Sequence, residues 1–515
     1  MKVNKVLKGT IILSFAGILA KFIGFFFKVP LARFIGLEGL GIYNYPYFLY
    51  ITLVALSISG IPIAISKMVS ERIAINDHEG AYSVFRIALK AMTFVGIGTT
   101  IVLFFSAKLI VNLFWPSEAI YPLLGLCLAP TFLAMISVYR GYFQGMQIMK
   151  PTALSQVIEA IGRLGVGLVL ASYLLKYSIA HAAGGAAFGT TFGAFLGLIS
   201  FVIVYYKVKP EIVVNFKKPT SAISKIILKD IVRLALPISI GAVASSLMPL
   251  IDSLIINSRL SVAGYTVSQA SELYGQLGVA STLINFPLTV SVAIAISLVP
   301  SIAESKSKSN QKELSNKIDL GIKMGALWSF PTSVGILILA TPILRFIFPM
   351  MEDGHLVLQI FSVSLILMVF NQIYTSILQG YGEVMVPVKN LYIGAIIKIV
   401  MTFVLASIPW LNIKGAAIAT LLSYSVIMFL NMRALKKHLN YKHDLINQIV
   451  KPILSVVLMG VSVILVFKVM NGIFASSTIP MLISILLGCM IYAIGIVATG
   501  VVQKEELYRI LKRKV

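Results

Sequence analysis

Ile11-Ile-Leu-Ser-Phe-Ala-Gly-Ile-Leu-Ala-Lys21-Phe-Ile-Gly-Phe-Phe-Phe-Lys28-Val-Pro30 is almost wholly apolar, interrupted by two lysines. As a helix rising 1.5 Å per residue this run is long enough to cross the roughly 30 Å hydrocarbon core of a bilayer. A cation at that depth costs roughly 2.5 to 3.5 kcal/mol on insertion scales, so it normally faces protein or a water-filled cavity. Lys21 and Lys28 are seven residues apart, nearly two full turns, and share a face with Gly17 and Gly24. That stripe is small and positive, suited to an anion. Snorkelling to the headgroups is the alternative for Lys28, which lies near the end of the run.

The rest of the chain is built alike. Its 515 residues are 58% hydrophobic and 12% charged, with a mean hydropathy of +0.93, values that exclude a soluble domain. About fourteen apolar stretches of spanning length follow one another, the first near 10–30 and the last near 476–500. The expected fold is therefore all-α, a polytopic membrane protein of about fourteen transmembrane helices. The net charge of +24 would suit nucleic acid, but its placement points elsewhere. With the N-terminus cytoplasmic, 34 of the 43 lysines and arginines fall on the inner side or in adjoining helix ends. This bias sets both termini in the cytoplasm and assigns the basic excess to topology and anionic lipid, not to DNA or RNA.

Cys127 and Cys489 lie in apolar stretches, and the five histidines do not cluster, so neither a disulfide framework nor a metal site is expected. No cofactor is implied. No motif of nucleophilic, metal-dependent or phosphate-loop catalysis occurs in the loops, which argues against an enzyme.

Internal repetition organises the chain. Gln144-Gly145 followed by Lys150-Pro151 recurs as Gln379-Gly380 followed by Pro387 and Lys389. Glu159-Ala-Ile-Gly-Arg163 recurs as Gly394-Ala-Ile-Ile-Lys398, again 235 residues on, and Gly185-Ala-Ala-Phe-Gly-Thr190 as Gly415-Ala-Ala-Ile-Ala-Thr420. Pro62 has a counterpart in Pro300. Six spans separate the copies, an even number, so the halves run the same way through the membrane as parallel repeats. The expected division is an N-lobe at 1–206, a basic linker at 207–229, a C-lobe at 230–433, an added helix pair at 448–501 and a basic tail at 502–515. Two six-helix lobes around a central cavity are the usual machinery of alternating access.

Acids are scarce, and only Glu159 and Asp252 fall clearly within spans. Glu159 stands four residues before Arg163, a spacing that allows pairing along one helix. The repeat mate Lys398 has Gly394 in place of the acid. Asp252 and Arg259 share a face near Pro249; Asp252 is suited to pairing with a lysine of the first half, to holding a coupling cation, or to a helix-packing contact. Gly60-Ile61-Pro62 and Tyr43-Asn44-Tyr45-Pro46 mark bends or close helix contacts.

Several of these runs resemble a known family. Gly60-Ile61-Pro62-Ile63-Ala64-Ile65-Ser66-Lys67, Arg140-Gly-Tyr-Phe-Gln-Gly145 leading to Lys150-Pro151 and Glu159, and Leu378-Gln379-Gly380 with Val386-Pro387-Val388-Lys389-Asn390 are similar to the stage V sporulation protein B branch of the MurJ-like polysaccharide exporters, within the MOP superfamily. The resemblance implies a monomeric flippase in the bacterial cytoplasmic membrane. Its partner would be a polyprenyl-diphosphate-linked glycan, a lipid II-like precursor for cell wall or spore cortex, with membrane lipid and optionally a coupling cation. Lys21 and Lys28 match the cavity cations of that family's first helix, Arg259 and Lys398 are added candidates for the headgroup, and the final helix pair would hold the lipid tail. Thr282 and Asn285 precede Phe286-Pro287 where MurJ proteins carry an arginine and an acid, so the headgroup contacts differ there. Export of another lipid-linked polysaccharide unit, or drug and cation antiport, are the rival readings.

Overall fold

The computed structural model describes residues 2–208, 220–439, 441, 444, 446–474 and 476–501. The expected basic tail at 502–515 and residues 209–219 of the basic linker lie outside them. The described residues form α1 (Lys2–Ile58), α2 (Ile61–Ala74), α3 (His78–Phe114), α4 (Ile120–Leu126), α5 (Ala129–Gly145), α6 (Lys150–Leu174), α7 (Ile179–Val208) and α8 (Ser221–Val262). There follow α9 (Val267–Ser307), α10 (Gln311–Ile338), α11 (Ala340–Ile347), α12 (His355–Tyr381), α13 (Met385–Leu405), α14 (Asn412–Leu439), α15 (Lys451–Ile473) and α16 (Thr478–Ala498). No strand occurs among the described residues.

Among the described residues, thirteen helical stretches are long and apolar enough to cross a membrane. The first, Phe15–Ala74, has 60 residues, three times what one crossing needs. It folds back at Gly36, whose φ of 67° and ψ of −172° lie outside the helical region and suit a residue without Cβ. The rings of Phe27 and Tyr43 stand 6.3 Å apart, where sixteen residues of straight helix would set them roughly 24 Å apart. One stretch thus holds two crossings, which accounts for the fourteen expected from the sequence.

Local chemistry sets the helix ends. Asp77 accepts from Gly80 N at 2.7 Å ahead of α3, and Asn310 accepts from Glu313 N at 3.0 Å ahead of α10. Pro62, Pro130, Pro151 and Pro452 sit in the first turns of α2, α5, α6 and α15, where a missing N–H costs nothing. Gly382, left-handed at φ 99°, closes α12.

The chain divides into two compact units, Met1–Gly275 and Gln276–Val515. The division falls inside α9 and not at the basic stretch because α8 packs on α1 and α3. Ser253 Oγ donates to the Tyr45 carbonyl at 2.7 Å, Trp115 Nε1 donates to the Ser253 carbonyl at 2.8 Å, and Tyr45 stacks on Tyr274 at 4.4 Å. Within the first unit α6 packs on α7, α2 on α5 and α1 on α6; within the second α13 packs on α14, α10 on α12, and α15 on α16.

Repeated glycines make repeated contacts. A Cβ on Gly141 or Gly145 would press on Ile65 or Val69 of α2, and one on Gly380 would press on Val299 and Ile302 of α9. These are equivalent helix pairs in the two units, with Pro62 and Pro300 at matching places.

Candidate functional site

Helices α1 and α6 lie side by side in a constant register. A Cβ on Gly9 would stand 2.9 Å from Met149, one on Gly17 would stand 3.7 Å from Gln156 Oε1, and one on Gly167 would stand 2.9 Å from the Phe27 ring. The offsets, 140, 139 and 140 residues, show that the two helices run parallel. Thr152, Gln156, Glu159 and Arg163 recur at spacings of four, three and four, so they share the stripe of α6 to which Gln156 belongs.

Glu159 is the hub of that stripe. Its Oε1 pairs with Arg163 Nη2 at 3.5 Å, and its Oε2 accepts from Arg140 Nη2 of α5 at 3.1 Å. The carboxylate side chain is 15% exposed and each guanidinium side chain 23%, so the triad is screened only partly by solvent. The Glu159–Arg163 pair is legible from the spacing of four. Arg140 is not, because nineteen residues and a change of helix separate it from its partner.

Lys28 lies half-buried with its ammonium 5.8 Å from the centroid of the Tyr47 ring, a cation–π arrangement. Tyr47 stacks on Tyr43 at 5.2 Å and lies 6.1 Å from Tyr50. Arg163 acts on Lys28 as a like charge and lies within electrostatic reach of Tyr43, Tyr47 and Tyr50. Tyr43, which the sequence marks only as part of a bend, and Tyr47 and Tyr50, which it does not mark, therefore wall the region of the cations. Lys21 is exposed, one turn below Gly24, and a Cβ added at Gly24 would meet nothing within 4 Å.

The other sequence-predicted residues have surroundings of their own. Asp252 is buried on α8 and acts electrostatically on Tyr274. Arg259, two turns on, is half-buried, and its Nε donates to Ser258 Oγ at 3.5 Å. Lys398, in the second unit, is 1% exposed and donates to Thr420 Oγ1 at 2.8 Å between α13 and α14. Thr282 is buried and donates to the Gly278 carbonyl at 2.7 Å, whereas Phe286 is exposed.

A further acid joins the span acids. Asp319 lies within α10, which begins at Gln311, well before the apolar run that marks this span in the sequence. Its Oδ1 accepts from Tyr441 Oη and, at 2.6 Å, from Gln448 Nε2. No group of three or more histidines, cysteines or acids suited to a metal ion occurs among the described residues.

Long apolar helices packed as hairpins, with a cationic group in the first unit, define a polytopic membrane protein whose fold is shared with solved transporters. A solved structure of the lipid II flippase MurJ in an inward closed conformation superposes with a TM-score of 0.72 at 16% identity, covering 94% of this chain and 98% of that one. An inward-facing multidrug resistance MATE family transporter of the MOP superfamily gives 0.66 at 17% identity, covering 80% and 94%. The chain belongs to the polysaccharide biosynthesis protein family, whose model matches residues 6–306; residues 237–404 also match the MatE model. Stage V sporulation protein B of Bacillus subtilis (strain 168) is 27% identical over 84% of this chain and 83% of its own length. The lipid II flippase MurJ of the same organism is 26% identical over 89% and 88%. The named relatives are thus flippases, transporters and a sporulation protein.

Proposed function

We propose that this protein flips a polyprenyl-diphosphate-linked sugar, a lipid II-like peptidoglycan precursor, from the cytoplasmic to the outer leaflet by alternating access of two lobes. The observation that carries the reading is a cationic group beside the first helix: Lys28 against Tyr47, and Arg163 and Arg140 sharing the carboxylate of Glu159. Two guanidiniums against one carboxylate leave that triad net positive within membrane-spanning helices, suited to an anionic headgroup. Such an excess is expensive at bilayer depth unless an anion or water completes it.

Lys21 and Lys28 serve as the headgroup contacts. A lysine attracts phosphate as a mobile point charge without the bidentate grip of arginine, which suits a substrate that must be released. Arg259 is the more accessible auxiliary, being half-buried where Lys398 is enclosed. Lys398, enclosed with Thr420, reaches a headgroup only where α13 and α14 part. The polyprenyl tail stays in lipid beside the helix pair α15 and α16, whose outward faces carry exposed Leu458, Val461, Leu465, Leu486 and Met490. Both termini lie in the cytoplasm, in keeping with the basic stretches.

The match of residues 237–404 to the MatE model favours a second reading, drug and cation antiport. Against it stands the first helix, which carries lysines where an antiporter of cations needs an acid.

The test is reconstitution of the purified chain into vesicles with labelled lipid-linked sugar. Wild type is expected to move lipid II to the opposite leaflet. Lys21→Ala with Lys28→Ala is expected to lose about tenfold or more, since charged contacts are each worth ~1.5–3 kcal/mol, while inserting normally. Undiminished flipping by the double variant overturns the site. Movement of a different lipid-linked glycan, with lipid II left behind, overturns the substrate.

A further inference from the structure

Two arginines share one carboxylate in the α5–α6 triad, and neither is used up by it. The Nε atoms of Arg140 and Arg163 are buried and have no hydrogen-bond partner, and neither does the buried Oε1 of Gln156, one turn below Glu159 on the same stripe. A buried guanidinium N–H left unmet is costly, so at Arg163, the arginine within electrostatic reach of Lys28, it points to an acceptor that arrives from outside. Glu159 itself is held from both sides, with one oxygen on each arginine. If an incoming anion takes Arg163, the carboxylate keeps Arg140 and is never stranded as a lone buried charge, the event that makes breaking such pairs expensive.

The second half of the chain serves as an internal control. At the same offset of 235 residues, Arg140 corresponds to Thr375, Glu159 to Gly394 and Arg163 to Lys398. At these three positions that half has no carboxylate and one cation in place of two. Its cation donates to Thr420, and a Cβ on Gly394 would press on the Ile427 side chain, so an acid there would have to displace Ile427. The shared-carboxylate arrangement belongs to the first half alone.

We propose that Glu159 is a built-in stand-in anion. It neutralises Arg163 in the empty site, yields that arginine to the substrate's diphosphate, and waits on Arg140 until the diphosphate leaves. The arriving phosphates then bridge Arg163 and Lys28, and Glu159 returns to displace them at release. Arg140 is a positioning residue that acts through Glu159 without touching the substrate. This inference rests on the proposed handling of a diphosphate-linked lipid.

The test measures binding of farnesyl diphosphate to the full-length protein in detergent, alongside flipping in vesicles. Glu159→Gln removes the competitor, so the probe is expected to bind about tenfold more tightly, the worth of one charged contact, while flipping slows because release is unaided. Arg163→Gln is expected to weaken binding by about the same factor. Arg140→Gln is also expected to weaken it, because Glu159 is then clamped on Arg163; adding Glu159→Gln to Arg140→Gln should restore tight binding. A purely structural triad predicts losses that accumulate in the double variant. Unchanged or weaker binding in a folded Glu159→Gln protein, or no rescue of Arg140→Gln, overturns the proposal. Should Glu159→Gln fail to fold, wild-type protein gives the answer through arginine modification by phenylglyoxal read by mass spectrometry. The probe is expected to protect Arg163 and leave Arg140 unprotected; equal protection of both, or of neither, overturns it. Loss of flipping in the Lys21 and Lys28 double variant with Glu159→Gln inert removes this inference and leaves the flippase reading intact, whereas normal flipping in that double variant removes the reading itself.

Discussion

At the residue scale, Asp319 illustrates how one buried carboxylate joins distant segments. Tyr441 is 4% exposed and Gln448 2%, and both direct their donors to Asp319, while Gln448 Nε2 also stands 2.5 Å from Tyr441 Oη. Burial first, then the bond to Asp319, pushes the Tyr441 hydroxyl above its ordinary range, so it stays a neutral donor at physiological pH. The group ties α10 to the stretch that leads into α15. Asp319→Ala is therefore expected to cost about 1–3 kcal/mol, the price of leaving buried donors unmet. Asp319→Asn, which keeps an acceptor, should cost less. Thermal melting of the purified protein checks the order, and equal melting temperatures for wild type and Asp319→Ala would show that the contact holds nothing. At this scale the sequence is legible only where partners share a helix. Lys21 with Lys28 and Glu159 with Arg163 follow from spacings of seven and four. Arg140 and Asp319 do not, since their partners lie on other elements and no periodicity links 140 to 159 or 319 to 441.

At the element scale, hydropathy alone delivers the spans, because every apolar run must satisfy its own backbone within the bilayer. What it does not deliver is where a helix bends or how far it extends into polar sequence. Gly36 shows the first failure: a single left-handed residue turns one long helical run into two crossings. α10 shows the second, since Asn310 caps it and Glu313 with Lys317, paired at 2.7 Å, carries it on before the apolar stretch begins. Gly36→Val is expected to destabilise the hairpin of α1, as a β-branched side chain pays roughly 1–2 kcal/mol in the left-handed region, even though a Cβ there would meet no neighbour within 4 Å. Because the bend brings Tyr43 and Tyr47 back toward Lys28, the same variant should also weaken binding of the diphosphate probe. Gly36→Asn should recover little of either, because at a ψ of −172° this conformation is open almost to glycine alone. Native stability in the Val variant would mean that packing and not backbone conformation sets the turn.

At the scale of the whole molecule, charge and duplication act together. The repeat is visible in the sequence as matched Gln-Gly and Gly-Ala-Ala runs, and the structure gives it physical content, since Gly145 and Gly380 each seat one helix against its equivalent neighbour. The halves have diverged where the chemistry lies: Glu159 and Arg140 are replaced by Gly394 and Thr375, so the cationic group belongs to one half. In the flipping proposed above, a site fixed in the protein and opened to each side in turn does not itself carry its lysines and arginines across the field. The net charge moved is then that of the substrate's diphosphate, about two negative charges, and an inside-negative potential favours its outward passage by roughly 2.3 kcal/mol per charge per 100 mV. Vesicles holding the protein with its basic stretches inward are therefore expected to export the labelled lipid faster when a potassium gradient with valinomycin makes the lumen negative, and slower when the gradient is reversed. High salt should change the rate much less, because the partly buried triad is screened less than a surface patch. A rate indifferent to the sign of the potential would mean that cations cross together with the headgroup, making the transport electroneutral and returning Asp252 to consideration as their carrier.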